Sequence, residues 1–157
     1  MKRINCQVVV VGAGPAGLAA AAAAYDAGAE QVVLIERDKY LGGILQQCIH
    51  NGFGVSIFKE DLTGPEYAAR YIEQIKSRNI RLMLDTMVID LGENREIIAV
   101  SAEEGLTRLS PRSVVLTMGC RERTRGAIRL PGKRSAGIMT AGTAQRFINI
   151  EGKLPGR

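Results

Sequence analysis

Three glycines and one glutamate carry the clearest chemistry in the sequence. Gly12, Gly14 and Gly17 stand in the order G-x-G-x-x-G within Gly12-Ala13-Gly14-Pro15-Ala16-Gly17, and Glu36 follows 19 positions after Gly17. The first glycine permits a tight turn from strand to helix. The second lets the backbone approach a pyrophosphate, and the third lets the helix pack close to the strand. A helix that starts there offers free N–H groups and a partial positive charge to phosphates. A carboxylate placed as Glu36 is can accept both hydroxyls of an adenosine ribose. The same carboxylate opposes a 2′-phosphate, which argues against NADP at this site.

The flanking residues supply the elements that such a site needs. Gln7–Val11 (QVVVV) is a β-branched run and predicts a buried parallel strand. Pro15 suits a first helical turn, where its missing N–H costs nothing. Leu18–Ala27 is an alanine-rich helix pattern, with Gly28 placed to close it. Gln31–Glu36 (QVVLIE) predicts a second buried strand. Strand, glycine turn, helix and strand thus make a βαβ start with its acid at the second strand's end.

Downstream, Tyr40–Thr63 is glycine-rich with no clear period, and a loop that long is often functional. Gly64–Asn79 reads as a helix with Tyr67, Tyr71, Ile72 and Ile75 on its apolar stripe and Thr63 as its cap. Ile80–Leu84, Met87–Leu91, Arg95–Ala102 and Leu106–Leu109 read as strands of an antiparallel meander. Its turns fall at Gly92-Glu93-Asn94 and Glu103-Glu104-Gly105. Ser113–Thr117 predicts another buried parallel strand, an irregular basic stretch follows, and Ala141–Ile148 predicts a short helix.

The bulk properties exclude several classes. The net charge is +5, but the charges are scattered and there is no Trp, so nucleic-acid binding is not expected. No stretch reaches the roughly 18 apolar residues of a membrane span. MKRIN runs straight into the first strand and leaves no room for a signal peptide, which predicts a cytoplasmic protein. Cys6, Cys48 and Cys120 are far apart and form no CxxC, so neither a disulfide framework nor a metal site is expected.

FAD and NAD share the glycine fingerprint. FAD is favoured because the second strand leads into Arg37 and Leu41-Gly42-Gly43 rather than straight into another helix. VVVVGAGPAGLAAAAAA and LIERDKYLGG resemble the FAD half of the pyridine nucleotide-disulfide oxidoreductase superfamily. LGGILQQCIHNGFG, TMGCRER and AGIMTAGTAQ are similar to a narrower branch of NAD(P)/FAD-dependent oxidoreductases. That branch is related to the flavin subunits of sarcosine oxidase-type and amino-acid or opine dehydrogenases, and to flavoproteins that accompany anaerobic glycerol-3-phosphate dehydrogenases. The resemblance implies an α/β fold of three layers, a Rossmann-like FAD/NAD(P)-binding domain with a parallel sheet, helices and an antiparallel β-meander. It implies that Gly12, Gly14, Pro15 and Ala16 contact the pyrophosphate and Glu36 the ribose. Arg37 and Gly43 would face the adenosine side or the phosphates. Val88 would meet the adenine through its backbone, and Thr117, Met118 and Gly119 match a strand end that passes near the cofactor. Cys48 lies in the loop where disulfide reductases of the superfamily carry a redox pair. As a single thiol it could form a charge-transfer contact or a sulfenate, or simply be a small buried residue. His50, the only histidine, could move a proton near the flavin or merely order its loop. Cys6 and Cys120 are expected to pack. Arg121, Glu122 and Arg123 are expected to form a local salt-bridge network; the alternative is that they hold an anionic substrate or a partner subunit.

Members of the superfamily are about twice as long or more, in domain-sized units. They carry a second GxGxxG for NAD(P)H and a later Gly-Asp pair for the ribityl region, and neither motif occurs here. The expectation is an FAD-binding domain over residues 1–157, incomplete at its C-terminus, with the NAD(P)H-binding and C-terminal parts absent. The activity expected of the whole is hydride transfer between NAD(P)H, FAD and an acceptor. Two alternatives stand beside it: a non-catalytic FAD/ADP-binding module that needs a partner chain, and a simple NAD-binding domain.

Overall fold

The computed structural model describes residues 1–133 and 135–156. Strand β1 (Lys2–Val11) leads to helix α1 (Pro15–Asp26) and strand β2 (Val32–Ile35). A 3-10 turn at Gly43–Gln47 and helix α2 (Gly64–Lys76) follow. Then come β3 (Arg81–Met83), β4 (Thr86–Leu91), β5 (Ile97–Ser101), β6 (Gly105–Leu116) and helix α3 (Ala141–Asn149). The six strands form one sheet in the order β3-β2-β1-β6-β5-β4. The pairs β2–β3, β1–β2 and β1–β6 are parallel, whereas β5 is antiparallel to both β6 and β4.

The alternation of side chains along a strand divides the core in two. Val10, Val32 and Leu34 face α1 and α2 and pack with Leu18, Ala21, Ala22 and Ile75. Val9, Val11, Val33 and Ile35 face the other way and pack with Met83, Ile97, Ala99 and Leu109. Ile97 and Ala99 belong to β5, which stands three places from β2 in the sheet order. They reach Val33 and Ile35 because the antiparallel end of the sheet curls back over its own face. Helices, parallel strands and meander therefore make the three layers expected from the resemblance. Every residue of β2 is buried, as a strand covered on both faces must be.

Local signals account for the helix ends. Gly28, at φ +96°, closes α1: its N–H bonds the Tyr25 carbonyl, and the Ala29 N–H bonds that of Ala24. At the start of α2, the Thr63 N–H and hydroxyl donate to the Glu66 carboxylate at 2.8 and 2.7 Å. These two bonds hold the Glu66 carboxyl below its usual range.

Two expectations are corrected. Ile80–Leu84 does not open the meander; its core, β3, pairs parallel to β2 as Val33↔Arg81 and Ile35↔Met83. Leu106–Leu109 and Ser113–Thr117 are not two strands. They are the two ends of β6, which runs unbroken through Pro111. The β5 ladder stops opposite Leu109, so two residues later one edge of β6 has no partner and a proline is tolerated. β1 is longer than Gln7–Val11 for the same reason, since its Lys2–Cys6 half pairs with Thr107–Pro111. The glycine-rich loop is also better ordered than its lack of period suggests. Phe53 pairs with Leu62 in an isolated bridge, and the rings of Phe53 and Phe58 pack on Tyr67 and Tyr71 of α2.

Candidate functional site

The C-terminal ends of β1, β2 and β6 lie side by side, and the predicted residues gather above them. Gly12–Gly17 turns from β1 into α1, with Pro15 in the first helical turn. A side chain on Gly17 would overlap the Gly12 carbonyl oxygen, so only glycine lets α1 start this close to β1. Gly14 is different. A Cβ added there meets no heavy atom within 4 Å, so the backbone at the N-terminus of α1 faces open space. Those two positions meet the two separate demands of the fingerprint, close helix packing and room for a phosphate.

Glu36 is buried at 7% exposure at the end of β2. Its Oε2 accepts the Ala13 N–H at 2.7 Å and its Oε1 accepts the Asp38 N–H at 2.9 Å. A buried carboxylate must find donors, and here the two amides hold it between the glycine turn and the β2 loop. Each oxygen keeps a second lone pair for a ligand hydroxyl. Gly43 closes the opposite wall, where a Cβ would stand 2.9 Å from the Gly14 Cα, while the Gly42 N–H bonds the Ala13 carbonyl at 2.8 Å. Thr117, just past β6, forms the third wall. Its N–H donates to the Val11 carbonyl, and its hydroxyl reaches the Val11 and Gly12 carbonyls at 2.9 and 2.8 Å. Gly12, Gly14, Pro15, Ala16, Gly17, Glu36, Gly43 and Thr117 are thus brought together.

The remaining residues are placed less tightly. Arg37 is exposed beside Glu36. Val88 is half-buried on β4, whose first residue, Thr86, donates its N–H to the Glu36 carbonyl at 3.0 Å. Met118 and Gly119 are exposed beyond β6, with Gly119 at φ +70°. Cys48 is half-buried and lies against the start of α2, where its carbonyl accepts the Gly64 N–H at 2.8 Å. His50 is exposed; its Nδ1 sits 2.9 Å from the Asn51 carbonyl and its ring packs on Phe53. No hydrogen bond among the described residues links the side chain of Cys48 or His50 to the glycine turn.

Cys6 lies in the core, where burial pushes its thiol pKa up. Cys120 is exposed rather than packed, because the strand ends before it. Glu122 does not pair with Arg121 or Arg123 in the structure. Its carboxylate accepts the Gly142 N–H at the start of α3, and this contact with the Thr140 hydroxyl holds its pKa below the usual range. The spacing of the sequence pointed neither to that tie nor to the Ala13 and Asp38 amides on Glu36. A backbone donor carries no residue signature, and Glu122 meets its partner 20 positions away.

Comparison with known proteins agrees with this geometry. Residues 7–54 match the family model described as FAD dependent oxidoreductase. One of the two chains of opine oxidase from Agrobacterium tumefaciens (strain Ach5) is 31% identical over 157 residues, covering 94% of this chain and 30% of that protein. The alpha chain of sarcosine oxidase from Rhizobium meliloti (strain 1021) is 30% identical, covering 98% of this chain and 16% of that protein. The chain therefore spans less than a third of the length of these relatives. In structure, L-proline dehydrogenase from P. horikoshii superposes with a TM-score of 0.71 at 24% identity, over 99% of this chain and 30% of that one. Thioredoxin reductase from Lactococcus lactis superposes at 0.60 with 23% identity, over 76% of this chain and 37% of that one. The fold is that of the Rossmann-like FAD/NAD(P)-binding oxidoreductases. Within that class, the chain carries an FAD-binding portion of an FAD-dependent oxidoreductase.

Proposed function

We propose that this chain grips the ADP half of FAD in an oxidoreductase that passes hydride between NAD(P)H, FAD and an acceptor. The observation that carries the reading is the cradle at the strand ends. Open space at Gly14 lies beside the free amides of the α1 N-terminus, and the Glu36 carboxylate stands at the neighbouring strand end with lone pairs to spare. The amides after Gly14 would hold the pyrophosphate. Glu36 would accept the ribose hydroxyls, and its buried charge would exclude a 2′-phosphate. Arg37, Gly43 and the Val88 backbone would border the adenosine side, and Met118 and Gly119 would lie along the path toward the flavin. FAD, when bound, supplies a centre that accepts and returns a hydride; the protein orients it and shields it from water. Cys48 and His50 would act only if the flavin end extends over the glycine-rich loop.

A second reading concerns assembly. The relatives are named as subunits of oxidases. From Thr117 to Gly156 none of the described residues is buried, and Ile128, Leu130, Ile138 and Met139 are 38–52% exposed. In this reading the chain holds FAD but turns over only with a downstream domain or a partner subunit that covers this segment and supplies the NAD(P)H site.

The test is a titration of the purified chain with FAD, followed by flavin fluorescence, with ADP and FMN as competitors. Saturable binding displaced by ADP and not by FMN is expected. Displacement by FMN alone, or no binding, overturns the assignment. NADH oxidation by the chain alone would overturn the need for a partner.

A further inference from the structure

Helix α3 owes nothing to the core, since none of its nine residues is buried. Three polar ties hold it against the cradle instead. Arg146 Nη1 and Nη2 donate to the two carboxylate oxygens of Asp38, each at 3.3 Å. Asn149 Nδ2 donates to the Gln47 carbonyl at 2.6 Å. The Glu122 carboxylate accepts the Gly142 N–H at 2.9 and 3.0 Å. The three anchors come from the loop after β2, the end of the 3-10 turn and the segment after β6. Asp38 bonds Glu36 Oε1 through its own N–H. Gln47 ends the turn that Gly43 opens.

We infer that Arg146 is a positioning residue for the bound dinucleotide, holding Asp38, and through it the Glu36 loop, while Asn149 holds the Gly43–Gln47 turn. The inference rests on the reading of the cradle as the FAD site. Two loops that must close on one ligand otherwise lose conformational freedom on binding, and that loss weakens affinity. A guanidinium fork on a carboxylate fixes an orientation that a point charge does not. The pair is over a third exposed on Arg146, so its own contribution to stability is small. Its effect therefore falls on the geometry of the loops rather than on folding.

Amide hydrogen exchange and ADP affinity of the full chain, measured for the wild type, Arg146→Gln and Arg146→Lys, test this. In Arg146→Gln, exchange at Asp38 and across Gly43–Cys48 should quicken while Val9 and Val10 stay protected. ADP should bind about threefold to fivefold more weakly at low salt, as for a half-exposed ion pair, with a smaller effect at high salt. Arg146→Lys keeps the charge without the fork and should recover only part of the loss. The exchanged pair Asp38→Arg with Arg146→Asp should recover most of it. If the wild type binds ADP and Arg146→Gln leaves both exchange and affinity unchanged, the positioning role is overturned. If the wild type binds neither ADP nor FAD, the cofactor reading itself fails and takes the role with it.

Discussion

Residues up to Pro111 and the segment from Thr117 onward are built on different physics. Every buried residue lies at or before Pro111, in two apolar layers on either side of the parallel strands. The segment after β6 buries nothing among its described residues and is fastened by an ion pair, an amide bond and a capping carboxylate. The cradle lies where the two meet. Its rigid walls, the β1–α1 turn and the end of β2, belong to the apolar half. Its outer face, α3, belongs to the polar half. Stability and site geometry should therefore separate: substitutions in the first half unfold the protein, and those in the second change what the cradle holds.

The strongest way to break this comparison is a pair of truncations. Ile97 is fully buried between the meander and the parallel strands, whereas Ile148 on α3 is 49% exposed. Ile97→Ala should cost about 2–5 kcal/mol through lost contacts and the cavity left behind. Ile148→Ala should stay within about 0.5 kcal/mol. Urea midpoints measure both, and comparable losses would mean that α3 is part of the core after all.

Next come the two glycines of the turn. Gly17→Ala forces α1 away from β1, and an overpacked contact of that kind costs about 1–3 kcal/mol. Gly14→Ala enters open space and should leave the melting temperature unchanged while abolishing FAD binding. A Gly14→Ala chain that still binds FAD would show that the phosphate lies elsewhere.

The same division explains how much the sequence discloses. The apolar half was legible because its signals are local and periodic: the β-branched runs of β1 and β2, the G-x-G-x-x-G turn, Gly28 and Thr63. The βαβ start and the convergence of Gly12–Gly17 with Glu36 follow from them. The continuity of β6 was hidden, because Pro111 looks like a break until β5 is seen to end opposite Leu109. The parallel pairing of β3 was hidden because short strands carry no mark of direction. The ties of α3 were invisible, since Asp38 and Arg146 are 108 positions apart and only the fold brings them together.

Thr117 sharpens the comparison at the boundary itself. Its hydroxyl points back to the Val11 and Gly12 carbonyls rather than outward, so it braces the turn from the β6 side. Thr117→Val keeps the shape and removes the donor, at a cost of about 1 kcal/mol. FAD affinity should fall with it, and Thr117→Ser should recover both. Recovery of stability without affinity would mean that Thr117 touches the cofactor through its methyl group.

Acid provides the gentlest test. The Glu122 carboxyl is held below its usual pKa by the Thr140 hydroxyl and the Gly142 N–H at the start of α3. A group whose pKa is lowered by folding adds stability above its unfolded pKa, and that stability is lost as pH falls through the folded value. The cap on α3 should therefore weaken as pH drops below the ordinary glutamate range. Glu66, which caps α2, is lowered in the same sense. Yet α2 also buries Ala68 and Ile75 in the apolar half, and α3 buries nothing. Amide exchange followed from neutral pH downward, corrected for the intrinsic pH dependence of exchange, should show α3 opening first and α2 later. Glu122→Gln should open α3 at neutral pH and flatten its response to acid. If both helices opened at the same pH, apolar anchoring would not be what distinguishes the two halves.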